Sequence, residues 1–174
     1  MLNFRDDAST FNAFIKEHQD KVFNLVLKMV QDISDAEEIT QDVFVDVYRK
    51  PDAFRGESSI TTWLFRIAMN KSIDHLRKKN RRNLFISYKV QDEPGDFLHP
   101  GVKAEDREKA MILFKAMKRL PENQHLAWVL SEMENMSYKE ISEIMKLSQS
   151  AVESVLFRAR QNLRKILSAI YDKL

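Results

Sequence analysis

The scarcity of turn-forming residues narrows the folds open to this chain more than any other feature. Only three glycines and four prolines occur among its 174 residues, so little of the turn chemistry of strand hairpins is present. Apolar side chains instead recur three or four residues apart, as at Phe11, Phe14, Ile15, Val22 and Val26. This spacing indicates the buried face of a helix, and an all-α fold is predicted.

The apolar pattern divides the N-terminal half into three predicted helices. The first begins at about residue 10. The second covers about residues 36–50 and is ended by Pro51, because proline cannot continue a helix. The third covers about residues 62–82. Between the last two, residues 51–62 are rich in proline, glycine and hydroxyl side chains and are predicted to form a loop.

Residues 83–104 interrupt the helical pattern and hold two of the four prolines and two of the three glycines. A stretch of this length without regular structure is unusual inside one compact domain, so it is interpreted as a flexible linker. The chain is therefore predicted to fold as two small helical domains, residues 1–82 and residues 105–174. In the second domain, helices are expected from about residue 104 to Pro121 and over residues 122–132.

A helix-turn-helix is predicted at residues 136–160, which read MSYKEISEIMKLSQSAVESVLFRAR. Ser137 and Ser148 are suited to cap its two helices, because serine hydroxyls accept hydrogen bonds from the first free backbone amides. The glycine that is usual in the turn of such motifs is missing. One narrow sector of the second helix is apolar and is predicted to be buried: Val152, Leu156, Ala159 and Leu163.

The opposite side of that second helix carries Ser150, Ser154, Phe157, Arg158 and Gln161. Arginine can bind guanine through two hydrogen bonds, small hydroxyls fit close to the groove, and an apolar ring can meet a thymine methyl group. This set favours reading of base edges in duplex DNA. The alternative is a pair of antiparallel packing helices in which a neighbour covers Phe157.

Charge is strongly segregated along the chain, although the net charge is only +2. Residues 32–46 hold six acidic side chains and no basic one, whereas residues 71–90 hold seven basic side chains and one acidic one. Residues 91–108 are acidic again. Each block alone fits a solvated helix face or a linker, but the three together indicate surfaces for different partners.

Several classes of function are disfavoured by what the sequence lacks. It has no cysteine, so neither a disulfide framework nor a thiolate metal site is expected. Its four histidines are scattered, and no glycine-rich phosphate loop is present. His75 beside Asp74 is interpreted as a chance pair on a helix surface, so no enzyme, metal or cofactor is predicted. No apolar run approaches the ~20 residues of a membrane span, and the acidic N-terminus is not typical of a secretion signal. A cytoplasmic location without membrane insertion is therefore expected.

Two long segments resemble one known family. Residues 35–82, which begin DAEEITQDVF and contain TWLFRIAMN, look like domain 2 of the group 4, or extracytoplasmic-function (ECF), sigma factors of bacteria, which belong to the sigma-70 family. Residues 120–165 resemble domain 4 of the same proteins. The two blocks occur in the family's order, with a linker of the family's kind between them.

The resemblance implies a sigma factor: a dissociable subunit, with no catalysis of its own, that binds core RNA polymerase and directs it to the −10 and −35 elements of promoters. The implied partners are the coiled coil of the polymerase's largest subunit, its flap region, promoter DNA and an anti-sigma factor, which can hold such a chain at the membrane. Residues 92–106 are similar to the acidic segment that the family threads through polymerase channels. A plain tether is the alternative.

In the family, the DAEEITQDVF helix docks on the polymerase coiled coil, and the next segment recognises the −10 element with a pocket for an unstacked base. The matching core-binding candidates are Glu37, Glu38, Gln41, Asp42, Phe44 and Asp46, with Tyr48 as an alternative to Phe44 for an apolar anchor. The matching −10 candidates are Phe54, Ser58, Ser59, Thr61, Trp63, Asn70, Lys71, Asp74, Arg77, Lys78 and Arg81. Trp63 fits the hydrophobic core better than a pocket wall, and Asp74 alternatively orients Lys71 or Arg77.

The matching −35 candidates are Ser150, Glu153, Ser154, Phe157, Arg158 and Gln161. Arg160, Arg164 and Lys165 are interpreted as phosphate or packing residues. Glu153 and Val155 depart from the family, whose members often carry basic residues at these positions. Glu153 is expected either to accept a hydrogen bond from cytosine N4 or to form a capping box with Ser150.

Two other functions remain open from the sequence. A stand-alone helix-turn-helix regulator would bind duplex DNA by itself, but it leaves the acidic helix and the FRGESSITT loop unexplained. A protein that mimics a sigma factor and titrates its partner would share both surfaces, and a transcription assay distinguishes it.

Overall fold

A computed structural model describes residues 8–85 and 104–172, with side chains from residues 9–82 and 106–172. Every regular element within these ranges is helical, which confirms the all-α prediction. The chain divides into two compact units on either side of residue 90. The predicted linker, residues 83–104, and the acidic segment, residues 92–106, lie for the most part outside the described residues.

The first unit consists of α1 (Ala8–Val30), α2 (Ile33–Arg49) and α3 (Ile60–Phe85), and each of these helices packs against the other two. Helix α2 begins earlier than predicted because Asp32 caps it: the Asp35 amide donates to Asp32 Oδ1 at 3.0 Å. The helix ends ahead of Pro51, as predicted. A short 3-10 helix, Pro51–Ala53, opens the loop that leads to α3.

The core of the first unit is built from one apolar face of each helix. Leu25 and Met29 of α1 are buried, although the predicted stripe omits them, and Trp63 is only 4% exposed, which confirms it as a core residue. Burying a large apolar side chain contributes about 1.5–3 kcal/mol. The apolar residues of this unit with no exposed surface are Val22, Leu25, Val26, Ala36, Val43 and Ala68.

The second unit consists of α4 (Ala104–Met117), α5 (Glu122–Trp128), α6 (Tyr138–Met145) and α7 (Gln149–Tyr171). The sequence predicts one helix over residues 122–132, but its last turn is a π-helix, Val129–Met133. The wide turn is closed by bonds from the Glu134 amide to the Val129 carbonyl at 3.1 Å and from the Met136 amide to the Leu130 carbonyl at 3.0 Å. Apolar spacing over so few residues cannot distinguish a π turn from an α turn.

Helix α7 packs against α4, α5 and α6 and supplies much of the core of the second unit. Its predicted buried stripe is confirmed, since Val152, Leu156, Ala159 and Leu163 are at most 3% exposed. Leu130, Ile141 and Ile144 of the same unit are also buried. No helix in the described part of the chain is long and apolar enough to cross a membrane.

Candidate functional site

Two serine caps fix the ends of the helix-turn-helix. Ser137 caps α6 in a capping box, in which the Glu140 amide donates to Ser137 Oγ at 3.3 Å and the Ser137 amide donates to Glu140 Oε2 at 2.8 Å. Hydrogen bonds from the Ser137 hydroxyl and amide hold the pKa of the Glu140 carboxyl below its ordinary value. Ser148 caps α7, accepting from the Ala151 amide at 3.2 Å. Both predicted caps are confirmed.

The turn between these helices is made without glycine. Lys146 adopts the left-handed conformation, with φ 55°, and its amide donates to the Ser142 carbonyl. The Leu147 amide donates to the same carbonyl at 3.1 Å, and Leu147 is half-buried. A left-handed residue other than glycine costs roughly 1–2 kcal/mol, so the surrounding packing and caps hold the turn in this shape.

The side of α7 that faces away from the core carries the predicted base-reading set. Phe157 is 60% exposed, so no neighbour within its unit covers it, and Ser150, Ser154, Arg158 and Gln161 are exposed as well. Arg158 Nε donates to the Ser154 carbonyl at 3.2 Å, which lays its stem along the helix. A polar surface with one large apolar ring is thus presented to solvent.

The two positions that depart from the family differ from each other in the structure. Val155 is 8% exposed and belongs to the core, so its side chain is not on the surface where a phosphate would lie. Glu153 is exposed. The capping-box interpretation of Glu153 is wrong, because Ser148 is the cap of α7 and Ser150 lies inside its first turn.

Arg160 forms an ion pair within its own unit, although its side chain is 47% exposed. Its Nη2 lies 2.8 Å from Glu132 Oε1, and hydrogen bonds with Glu132 and the Tyr138 hydroxyl raise its pKa above the ordinary value. A second polar contact of α7 is made to α5, where Asn162 Nδ2 donates to Gln124 Oε1 at 2.8 Å. Arg160 thus makes the internal contact that the packing interpretation expects, and its contact with a phosphate stays a prediction. The sequence gives no signal for the Glu132 contact, which depends on the π turn.

Among the described residues, some acidic side chains of α2 form ion pairs within the first unit, and others do not. Glu37 and Glu38 are exposed and form no ion pair with the described residues, but Asp46 Oδ2 lies 2.8 Å and Asp42 Oδ2 3.9 Å from Lys71 Nζ of α3. Core-binding and −10 candidates are therefore in contact with one another. The alternative that Asp74 orients Lys71 is wrong, since Lys71 faces α2.

A second group of charges joins α2 to α3 further along. Asp35 Oδ2 lies 2.8 Å from Lys79 Nζ and 3.1 Å from His75 Nε2, with the Asp35 side chain 19% exposed. Burial alone raises the pKa of this carboxyl, but the Lys79 hydrogen bond and the His75 charge outweigh it and hold the pKa below its ordinary value. The acidic and basic blocks thus partly neutralise each other, a contact that the prediction of separate partner surfaces does not include.

This group predicts a pH-dependent stability. Asp35→Asn is expected to lower the free energy of unfolding of the first unit by about 1–3 kcal/mol at neutral pH, because the charged acceptor of Lys79 is lost. Since the folded pKa of Asp35 is the lower one, its contribution is complete well above the unfolded pKa of about 3.9 and disappears as the pH falls through the folded pKa. Urea unfolding followed by Trp63 fluorescence in a Trp128→Phe background measures the difference. A difference between the two proteins that does not shrink in acid would contradict the assignment.

The apolar anchor predicted at Phe44 is wrong for the free chain. Phe44 is 6% exposed, and its ring packs against that of Phe14 with the centroids 6.3 Å apart. The exposed apolar side chains are the alternative, Tyr48, at 48%, and Val45, at 43%. They border a groove of about 630 Å³ between α1 and α2. The sequence signal for an exposed apolar residue here is the run Val43-Phe44-Val45. Three consecutive residues spread over more than half of the helix circumference, so one of them is left outside the buried face.

The loop between α2 and α3 brings two of its candidates together. The rings of Phe54 and Trp63 are in contact, with centroids 5.3 Å apart, and Phe54 lies on the solvent side. Gly56 has φ 73° with open space around its Cα. Ser59 is occupied as the cap of α3, accepting from the Thr62 amide at 3.0 Å. Gly56 is exposed, and the half-buried Ser58 and Thr61 carry the remaining hydroxyls of this loop.

The outer face of α3 continues from this loop. Its exposed residues include Asn70, Asp74, Arg77, Lys78 and Arg81. Lys71 instead points towards α2, and its side chain is 25% exposed. The exposed set forms a polar and then strongly basic strip along the helix.

Within residues 8–85 and 104–172 no group of three histidine, aspartate or glutamate side chains is placed to hold a metal ion.

Comparisons with known sequences agree on one family. Residues 14–82 match the family model of sigma-70 region 2, and residues 110–163 match that of sigma-70 region 4. The RNA polymerase sigma-H factor of Pseudomonas aeruginosa is 31% identical, over 95% of this chain and 90% of that protein. The ECF RNA polymerase sigma-E factors of Haemophilus influenzae and Escherichia coli K12 are 34% and 33% identical, over 89% and 90% of this chain and 86% of each relative.

Two solved structures share the fold. The sigma factor RpoE of Bartonella quintana, in complex with the anti-sigma factor NepR, matches with a TM-score of 0.68 and 24% identity, over 91% of this chain and 96% of that one. CnrH, in complex with the cytosolic domain of CnrY, matches with a TM-score of 0.67 and 23% identity, over 94% and 91%.

Proposed function

This chain belongs to the sigma-70 family, as an RNA polymerase sigma factor of the ECF type, and we propose how its two helical units share the work of promoter-directed initiation. The first unit, proposed as residues 1–82, holds core polymerase and recognises and melts the −10 element. The second, residues 105–174, reads the −35 element, with residues 83–104 as the linker. The observation that carries this proposal is the presence, in one chain, of a region 2 match and a region 4 match in the family's order.

The proposed polymerase contact lies on α2. Glu37, Glu38 and Gln41 are exposed and offer acceptors to a basic coiled coil. Asp42 and Asp46 join them at the cost of their contact with Lys71. Tyr48 and Val45 are the exposed apolar side chains beside this surface. A mixed acidic and apolar surface of this kind suits a partner that is a basic amphipathic helix pair.

The proposed −10 contact combines the loop and α3. Phe54, backed by Trp63, supplies an aromatic wall, and aromatic side chains stack on unpaired bases. The backbone around Gly56 and the hydroxyls of Ser58 and Thr61 supply hydrogen bonds. On α3, Asn70 is placed to meet a base, while the basic strip after it, Arg77, Lys78 and Arg81, meets phosphates, which give affinity rather than sequence choice.

The proposed −35 contact is the outward side of α7, laid in the major groove as the recognition helix of a helix-turn-helix. Arg158 reads guanine, Phe157 meets a thymine methyl group, and Ser150, Ser154 and Gln161 supply short polar contacts. Because these side chains are exposed and the buried stripe lies opposite, the helix can enter the groove without disturbing its core.

The chain adds no reaction of its own to this scheme, and the polymerase performs the chemistry in the cytoplasm. An anti-sigma factor is the proposed regulator, since RpoE, which shares the fold, was solved in complex with the anti-sigma factor NepR. A stand-alone regulator would instead act on duplex DNA without polymerase.

Reconstitution tests the proposed function. The purified chain, mixed with core RNA polymerase lacking any other specificity subunit, is expected to start transcripts at defined positions on genomic DNA from its own bacterium. Core alone is the control. Promoter-specific binding by the chain without polymerase, together with no effect on the transcription start, would favour the stand-alone regulator. Binding to core without any specific transcript would favour the mimic.

Charge reversal on α2 tests the polymerase contact. Asp42→Lys is expected to weaken core affinity by about tenfold, because close charge pairs across an interface contribute more than 1 kcal/mol, while the fold stays intact because the Asp42 side chain is 63% exposed. Fluorescence anisotropy of labelled protein titrated with core measures the affinity. Asp20→Lys, an exposed acid of α1, is the matched control. Equal affinities of the two variants would remove Asp42 from the contact.

A further inference from the structure

We propose that Glu153 determines part of the promoter specificity of this chain by accepting a hydrogen bond from the N4 amino group of a cytosine in the −35 element. The inference rests on the proposed role of α7 as the recognition helix. It concerns a side chain that forms no hydrogen bond or ion pair with the described residues.

Glu153 lies where a recognition helix meets base edges. It is exposed in the second turn of α7, three residues after Ser150 and four before Phe157, so all three share one side of the helix. The first turns of such helices contact base edges in the major groove. The carboxylate is therefore on the surface that would face DNA.

The carboxylate of Glu153 is not neutralised by the protein. Its neighbours one turn away are Gln149, Ser150, Leu156 and Phe157, none of which is basic. No hydrogen bond or ion pair joins it to any side chain in the described ranges, and the cap of α7 is Ser148. This contrasts with Glu132 on the same unit, which is held by Arg160 at 2.8 Å, and with Glu140, which is held by Ser137.

An unpaired carboxylate on a surface that approaches DNA must find a donor or weaken binding. Phosphates repel it, and in the major groove guanine presents only acceptors while thymine presents an acceptor and a methyl group. Cytosine presents a lone donor, its N4 amino group, and adenine presents a donor beside an acceptor. A carboxylate, which only accepts, therefore matches cytosine best and rejects guanine and thymine.

A promoter library tests this with the holoenzyme. The −35 region of a promoter used by the reconstituted enzyme is randomised, and transcripts made with wild type, Glu153→Ala and Glu153→Gln are sequenced. For wild type, one position is expected to require cytosine, with thymine there lowering transcription roughly 5- to 150-fold. Glu153→Ala removes this requirement. Glu153→Gln changes it to adenine, because glutamine pairs with adenine N6 and N7.

The control is Glu108→Gln, which alters an exposed carboxylate of α4 in the same unit and is expected to keep the wild-type base preference. A cytosine requirement that survives in Glu153→Ala would overturn the inference. So would a uniform change of transcription across all library members, which would identify Glu153 as a general source of repulsion. If wild type transcribes no library member and no parent promoter, the proposed function fails and the inference fails with it.

Discussion

Arg158→Ala is expected to lower transcription from −35-dependent promoters by roughly 5- to 150-fold, because a bidentate contact of arginine with guanine is worth about 1–3 kcal/mol of discrimination. The guanidinium is exposed, and its contact within the described chain is the bond from Nε to the Ser154 carbonyl of its own helix. Alanine therefore leaves the core of the second unit unchanged. Single-round transcription with reconstituted holoenzyme, on promoters with an intact and a scrambled −35 element, measures the effect.

The comparison of the two promoters separates base reading from general affinity. Arg164→Ala, which removes an exposed arginine two turns further along α7, is expected to cause a smaller loss of the kind that a phosphate contact gives, equal for all sequences. Loss of the same size for Arg158→Ala on the intact and the scrambled promoter would show that Arg158 does not read bases.

Leu156→Ala is expected to destabilise the second unit by about 2–5 kcal/mol, because it leaves a cavity at a side chain with no exposed surface. Domains have only about 5–15 kcal/mol of stability, so this change brings the unit close to unfolding. Hydrogen exchange read by mass spectrometry is expected to show lost protection in α5, α6 and α7 and unchanged protection in α1, α2 and α3.

The adjacent residue supplies the control for that measurement. Phe157→Ala removes a larger ring, but the ring is 60% exposed, and surface substitutions usually change stability by less than about 0.5 kcal/mol. Leu156→Ala and Phe157→Ala thus differ by one position and are expected to differ strongly in stability. Equal protection in the two variants would contradict the placement of the buried stripe.

Features that depend on neighbouring residues alone were predictable from the sequence. Ser137 and Ser148 cap their helices as expected, because a cap requires only a hydroxyl and the amides of the next turn. The buried stripe at Val152, Leu156 and Ala159 follows in the same way from the helical period. The exposure of Arg158 is then determined, since it lies on the opposite side.

Features that depend on which helix packs against which could not be predicted. The contact of Lys71 with Asp46 joins residues of α3 and α2, and each was interpreted as a contact for a different external partner. Phe44 is likewise a candidate anchor from its match to the family's docking helix, but packing against Phe14 of α1 buries it. Charge and apolar patterns identify a face of a helix. They do not say what covers it.

The ion pairs between α2 and α3 change what an approaching molecule experiences at long range. Asp32, Asp35, Asp42 and Asp46 each lie within 4 Å of a lysine or histidine of α3. Among the described residues only two lysines, Lys71 and Lys79, face these four aspartates, so each group keeps a reduced negative charge. Glu37 and Glu38 are exposed and add their full charge to it. Electrostatic steering of a cationic protein is therefore expected to be strongest over the opening turns of α2, where Glu37 and Glu38 follow Asp35 in the chain. The steering fades over a Debye length of about 8 Å in physiological salt.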